Sequence, residues 1–262
     1  MYKKSEGFTF VELVAVILIL GIVAAIGSSF LITAVDAYRI TEVRAKLVSR
    51  GRTAMEQMTR QLRLSAPNSA RVSASGNCIE FMPLVGGGNY QGNLPDAENG
   101  APTTNSIATS PFLLDLGSPQ YVIVAALSAN EIYTSASPSA RAQLASTIGN
   151  PINTLNLAAN HRFIRNSINK RVFVADNPKR FCLASSTLVQ YNTYTFDTGT
   201  LSDVDPGGAT VIMSFDVSAA GTAFVLSPGS EDRNTAVIIS LAFIGNGERV
   251  ELNQQVLVRN VP

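Results

Sequence analysis

The sequence predicts an α+β chain, with one long N-terminal helix followed by a head built mainly of antiparallel strands. Three observations carry this. An uncharged apolar run opens the chain, an apolar period of three and four residues continues beyond it, and from residue 66 short β-rich runs alternate with turn residues. The chain has 262 residues, 46% of them hydrophobic and 15% charged, with a formal net charge of +1. That length buries a substantial core, and the charge balance does not suit a protein that binds nucleic acid by its overall field. One histidine and two cysteines exclude a His-rich or Cys₄ zinc site within one chain.

The first element is the helix. Leu13–Val35 carries no charge and at about 1.5 Å per residue spans a bilayer core of about 30 Å. Lys3 and Lys4 precede it, so the positive-inside rule places the N-terminus in the cytoplasm and the rest beyond the inner membrane. The run is longer than the usual core of a cleaved signal peptide, and no convincing A-x-A site follows it. A plain anchor does not explain Glu12, a carboxylate at the start of an apolar span, where charge is costly unless paired or interfacial.

Beyond the span, Ile40, Val43, Leu47, Val48, Gly51, Ala54, Met55, Met58 and Leu62 form one apolar stripe to about Leu64. Glu42 with Lys46 and Glu56 with Arg60 stand in the favourable i,i+4 order on other faces. Pro67 ends the helix, and Gly27-Ser28-Ser29 is its expected soft spot. Seven basic residues face three acidic ones between Asp36 and Arg63, a balance read as a solvated or subunit-packing face rather than a lipid- or DNA-specific one.

These residues resemble a known family. Gly7-Phe8-Thr9-Phe10-Val11-Glu12-Leu13 is similar to the leader junction of type IV pilins and pseudopilins, with Phe10 where those proteins usually have Leu. The resemblance implies a leader at residues 1–7, cleavage after Gly7 by a prepilin peptidase, and N-methylation of Phe8. It implies a helix over 8–65, with a membrane span at about 8–35 and an amphipathic part at 36–65, and a β-rich periplasmic head over 66–262. A cleaved Phe8 carries an ammonium at a helix N-terminus, which is already positive. Glu12 of a neighbouring subunit would compensate it, making Glu12 a docking charge. The implied partners are other pilin subunits through the helix and the assembly platform of the inner membrane. No nucleic acid and no cofactor is expected, and assembly needs an ATPase elsewhere, since the chain has no Walker motif.

In the head, strands are expected near 70–73, 78–84, 121–125, 171–175, 181–184, 187–194, 210–217, 222–226, 236–244 and 249–258. Gly245-Asn246-Gly247 signals a hairpin. Val85 to Pro111 reads as a long loop or excursion, and Pro138 to Ala159 as holding a short helix. Cys78-Ile-Glu-Phe-Met-Pro83, the glycine-rich stretch after it and the segments Gly247–Val250 and Val258–Pro262 resemble the large MshO-type minor pilins of the mannose-sensitive haemagglutinin (MSHA) pilus. The nearest alternative is a type II secretion pseudopilin of the large J type. A pilus-tip adhesin with its pocket near Gly86–Thr104 is another.

Cys78 and Cys182 both sit in strand-like runs and, in an oxidising compartment, are expected to pair; two buried reduced thiols are the alternative. The loop they close, about 105 residues, gives about 4–5 kcal/mol on the chain-entropy account. No Ser/His/Asp or paired-carboxylate arrangement points to an enzyme such as an anchored periplasmic hydrolase, and His161 reads as a surface or interface residue. Gly86-Gly87-Gly88 reads as loop flexibility. Asp197, Asp203 and Asp205 have the composition of a calcium loop without its spacing, so they read as a solvated turn and no metal site is assigned. Arg162, Arg165, Lys170, Arg171, Lys179 and Arg180, with Phe163, Phe173 and Phe181 between them, read as strand residues and subunit contacts rather than a nucleic-acid face.

Overall fold

The computed structural model describes residues 7–114, 117–134, 136–145, 149, 151–194, 198–228 and 234–258. The first element, α1, runs Phe10–Arg63. The chain divides into two compact units, Met1–Lys46 and Leu47–Pro262.

In the first unit the described residues are α1 and its lead-in. The helix there buries almost nothing, and its most apolar window has a mean hydropathy of 2.8, long and apolar enough to cross a membrane. Helix continues through Gly27-Ser28-Ser29. Ser28 Oγ donates to the Ala25 carbonyl and Ser29 Oγ to the Ile26 carbonyl, both at 2.9 Å, so the polar side chains are absorbed by the helix backbone. Lys46 meets Glu42 at 2.6 Å.

The second unit holds the rest of α1, one short helix and fourteen strands among the described residues. β1 is Arg71–Val72, β2 Cys78–Phe81, β3 Leu84–Asn89, β4 Thr104–Phe112 and β5 Tyr121–Ile123. Helix α2, Ala129–Tyr133, precedes β6, Arg141–Gln143, and β7, Ile152–His161. β8 is Arg171–Ala175, β9 Lys179–Ala184, β10 Thr187–Asn192 and β11 Ala209–Phe215. The chain then forms β12, Val217–Ser227, β13, Thr235–Gly245, and β14, Glu248–Val258. They build a five-stranded sheet in the order β1-β2-β9-β10-β11, a three-stranded sheet β12-β13-β14, a four-stranded sheet β3-β8-β5-β6 and the pair β4-β7. Every named pair is antiparallel.

The α1 stripe of Leu47, Gly51, Ala54, Met55, Met58 and Leu62 is buried. Gly51 is the closest approach: a Cβ there would lie 2.5 Å from Leu252 Cδ1 and 2.9 Å from the Phe243 ring, so glycine lets the helix backbone sit against β13 and β14. Gln61 exchanges side-chain hydrogen bonds with Gln190 of β10 at 3.1 and 3.2 Å, and Arg50 donates to the Ile244 carbonyl. Glu56 and Arg60 do not form the ion pair that their spacing suggests.

The β13–β14 hairpin closes with Gly245 opposite Glu248. Asn246 and Gly247 have φ of 48° and 81°, the two positive values a type I′ turn requires. Two expectations are corrected between β2 and β9. The glycine-rich stretch is strand β3, and the space of its missing side chains is filled: a Cβ on Gly88 would lie 2.7 Å from the Phe112 ring and one on Gly86 2.7 Å from Leu114. The region 138–159 holds strands β6 and β7 among its described residues rather than a helix, and the short helix lies before it at Ala129–Tyr133. β4 carries Pro111 where its register with β7 breaks, between Ala108 and Phe112, so no ladder hydrogen bond is lost to the proline.

Candidate functional site

The head of α1 is built by Thr9 and Glu12. The Glu12 N–H donates to the Thr9 carbonyl at 3.1 Å and lies 3.3 Å from Thr9 Oγ1. In return Glu12 Oε2 stands 3.5 Å from both the Thr9 N–H and Oγ1. This is the reciprocal geometry of a capping box, legible in Thr9-x-x-Glu12 but missed when Glu12 is read only as a charge. The carboxylate also lies in the first turn, where the helix dipole favours it. Its other oxygen, Oε1, accepts no hydrogen bond among the described residues. Phe8 is 73% and Phe10 80% exposed. No described atom lies within 4 Å of where a Gly7 Cβ would stand, so nothing within the described chain demands glycine there. Lys3 and Lys4 lie outside the described residues.

In the second unit Cys78 and Cys182 form a disulfide and face each other directly in the β2–β9 register. Val189, Tyr191, Tyr194 and Leu201 cluster with them. Beside them is a buried charge cluster that the sequence reading did not single out. Glu80, fully buried, accepts from Arg71 Nε at 2.6 Å through Oε2 and from Arg180 at 3.0 Å through Oε1. The Tyr194 hydroxyl donates to the same Oε1 at 2.6 Å. Burial and the Glu80 charge push the Tyr194 hydroxyl well above its ordinary range, so it remains a donor. The guanidiniums carry on to the covering loop: Arg71 donates to the Gly199 carbonyl, and Arg180 to those of Ser202 and Val204. Arg71 also stacks 3.7 Å from the Tyr133 ring centroid. Glu80 and Arg180 are directly opposed in the β2–β9 ladder, a pairing visible only once the register is known.

The remaining candidates separate. Arg180 belongs to the buried cluster, Arg165 makes a two-pronged pair with Glu131 at 2.7 and 2.9 Å, and Arg162 donates to the Ala101 carbonyl. Phe163 and Phe181 are core residues. These residues therefore do not form one basic aromatic face. His161 is half-buried rather than on the surface; its Nε2 lies 3.1 Å from the Ser139 carbonyl and its ring meets Phe163 edge-on. Burial holds its pKa below the ordinary value, with the Arg141 charge adding to that and the Ser139 carbonyl opposing it. Asp203 accepts from Ser75 Oγ and Asp205 from the Gly207 N–H, while Asp197 lies outside the described residues. Among the described residues no three His, Cys, Asp or Glu side chains gather as for a metal ion.

Residues 2–28 match the family described as prokaryotic N-terminal methylation motif. No curated protein matches the chain, and no solved structure does. The matched segment ends inside the exposed apolar part of α1 and contains Gly7, Phe8 and Glu12, and it supports a type IV pilin-like or pseudopilin subunit, with an apolar helix that fits a membrane anchor.

Proposed function

We propose that the chain is a minor type IV pilin of the MSHA biogenesis type, a structural subunit that takes part in pilus assembly. The observation that carries this is the methylation motif over residues 2–28, set at the head of an exposed apolar helix whose first turn holds Glu12. Prepilin peptidase cuts after Gly7, and the new N-terminus, Phe8, is methylated. The protein is held in the inner membrane by one span, with its head in the periplasm, until it passes into the filament. A glycine with no packing role in the described chain suits a junction read by a peptidase.

Glu12 then has two duties. Oε2 faces the Thr9 cap of its own helix. Oε1 is left for the Phe8 ammonium of an adjacent subunit, so both are met by one carboxylate in a medium where an uncompensated ion is costly. The MSHA assignment rests on the segments around Cys78–Pro83 and the C-terminal strand.

The test compares Glu12→Ala and Glu12→Gln with the native chain in cells lacking the native copy. Mass spectrometry is expected to find mature protein beginning at methylated Phe8 in all three, with membrane levels unchanged and incorporation into shed filaments lost in both variants. A mature chain beginning elsewhere overturns the processing reading. Normal incorporation of both variants overturns the docking role. A native chain confined to the inner membrane and required for type II secretion overturns the MSHA assignment.

A further inference from the structure

A trough beside β14 is used by none of this. Leu252, Asn253 and Gln254 of β14 line a cavity of about 880 Å³ whose other wall is α1. A second cavity, of about 770 Å³, shares Arg63 and Leu64 with the first and reaches Leu257, Phe173 and Arg171. The two form one trough along the strand. Successive side chains of a strand point to opposite faces. Three consecutive residues can therefore line one cavity only if it lies along the strand's edge, where the backbone is presented.

That edge is open. β14 has β13 as its one neighbour among the described strands, and its eleven residues pair with β13 without a register shift. It carries no proline and no bulge, two of the devices that blunt an edge, and its charged residues, Glu248, Arg249 and Glu251, all precede Leu252. The facing wall is cationic. Arg52, Arg60, Arg63 and Arg171 line the trough, and the guanidinium of none of them makes an ion pair or hydrogen bond among the described residues. Glu56 is the one acid lining it. Met55, Leu64, Phe173 and Leu257 supply apolar surface between the charges.

We propose that this trough receives an extended, acidic segment of a partner protein, added as a fourth strand to the β12–β14 sheet. The strand edge supplies backbone hydrogen bonds to any extended peptide, and the guanidinium wall selects carboxylates. Every second side chain of the added strand faces the trough, where acids meet the arginines that stand among Met55, Leu64 and Phe173. A lipid headgroup would satisfy the arginines and leave the backbone edge unused. The surface stands on the geometry of the second unit and does not depend on the pilin reading.

The test uses the full chain in detergent micelles as bait for a random phage-displayed peptide library. Selected peptides are expected to alternate Asp or Glu with β-branched or aromatic residues. Synthetic copies are expected to bind and to slow amide hydrogen exchange in Leu252–Gln254. The double variant Arg60→Glu/Arg63→Glu, which alters exposed side chains and is checked for folding by circular dichroism, is expected to weaken binding by about tenfold or more, the effect of losing charged hydrogen bonds. A proline placed centrally in the peptide is expected to do the same. Selection without acidic enrichment, binding indifferent to the double variant, or unslowed β14 amides would overturn the proposal. So would phosphatidylglycerol vesicles that bind the native chain but not the variant while no peptide is selected.

Discussion

Glu80 holds two guanidiniums and a phenol in a place that water does not reach. Its removal takes a buried carboxylate away from Arg180, 1% exposed, and Arg71, 8% exposed. Glu80→Ala is therefore expected to destabilise the protein by about 3–5 kcal/mol, the cost of breaking a buried pair from one side. Chemical denaturation of the full chain in detergent measures it, and a loss below about 1 kcal/mol would show that the cluster is solvated. Titration offers a second residue-scale test, because His161 is the chain's one histidine. Its pKa in the folded protein lies below 6.5. As pH falls through 6.5 the unfolded chain takes up the proton first, so stability is full above 6.5 and declines as pH falls toward the folded value. His161→Asn is expected to flatten the decline that begins as pH falls below 6.5; an unchanged slope there would overturn the assignment to His161, since a carboxylate such as Glu131 acts only at lower pH. That carboxyl is raised by burial, but the Arg165 hydrogen bonds, the Leu127 N–H and the Arg165 charge outweigh burial and hold it below its ordinary value of 4.5.

Among the elements, α1 meets its sheet at Gly51. Gly51→Val sets branched carbons where Leu252 and Phe243 already stand, and is expected to cost about 1–3 kcal/mol even though valine is the better helix former. Thermal unfolding followed by circular dichroism checks this, and a stabilised variant would mean that β14 can move away. How far each element was legible follows from what stabilises it. The stripe from Leu47 to Leu62 reads directly because one helical face is buried, and β13 and β14 read because alternation and Asn246-Gly247 agree. β4 and β7 do not read. Each buries few large side chains, Ile107 in one and Ile152, Leu155 and Leu157 in the other, among Asn, Thr, Ser and Ala. β3 is hidden for the opposite reason, since its glycines are filled by Phe112 and Leu114 from elsewhere in the chain. Gly7, Phe8 and Glu12 stood out in the sequence as a contiguous motif, whereas the Thr9 partner needed the helix start to be placed. The Glu80 cluster joins Glu80 to residues 100 and 114 positions away and has no local signature.

At the scale of the whole molecule, the second unit is organised around the β2–β9 contact. The two strands are neighbours in the five-stranded sheet, yet β3 to β8 lie between them in sequence. Those strands carry an apolar core of their own, from Val85 to Val174. The excursion thus leaves and re-enters the sheet at one point, where Phe81 opposes Lys179 and Cys78 opposes Cys182. A covalent bond at that point separates the excursion from the path along which tension travels. When the protein is stretched between handles on α1 near Arg60 and on β14 near Gln255, the load crosses from β2 to β9 through sulfur, and the chain between the cysteines, which stand 104 positions apart, is never extended. Reduction is expected to lengthen the fully unfolded molecule by about 35 nm, at about 3.4 Å per residue. A subunit built this way yields a short, fixed amount of slack under tension while the excursion, and whatever surface it presents, bears none of the load.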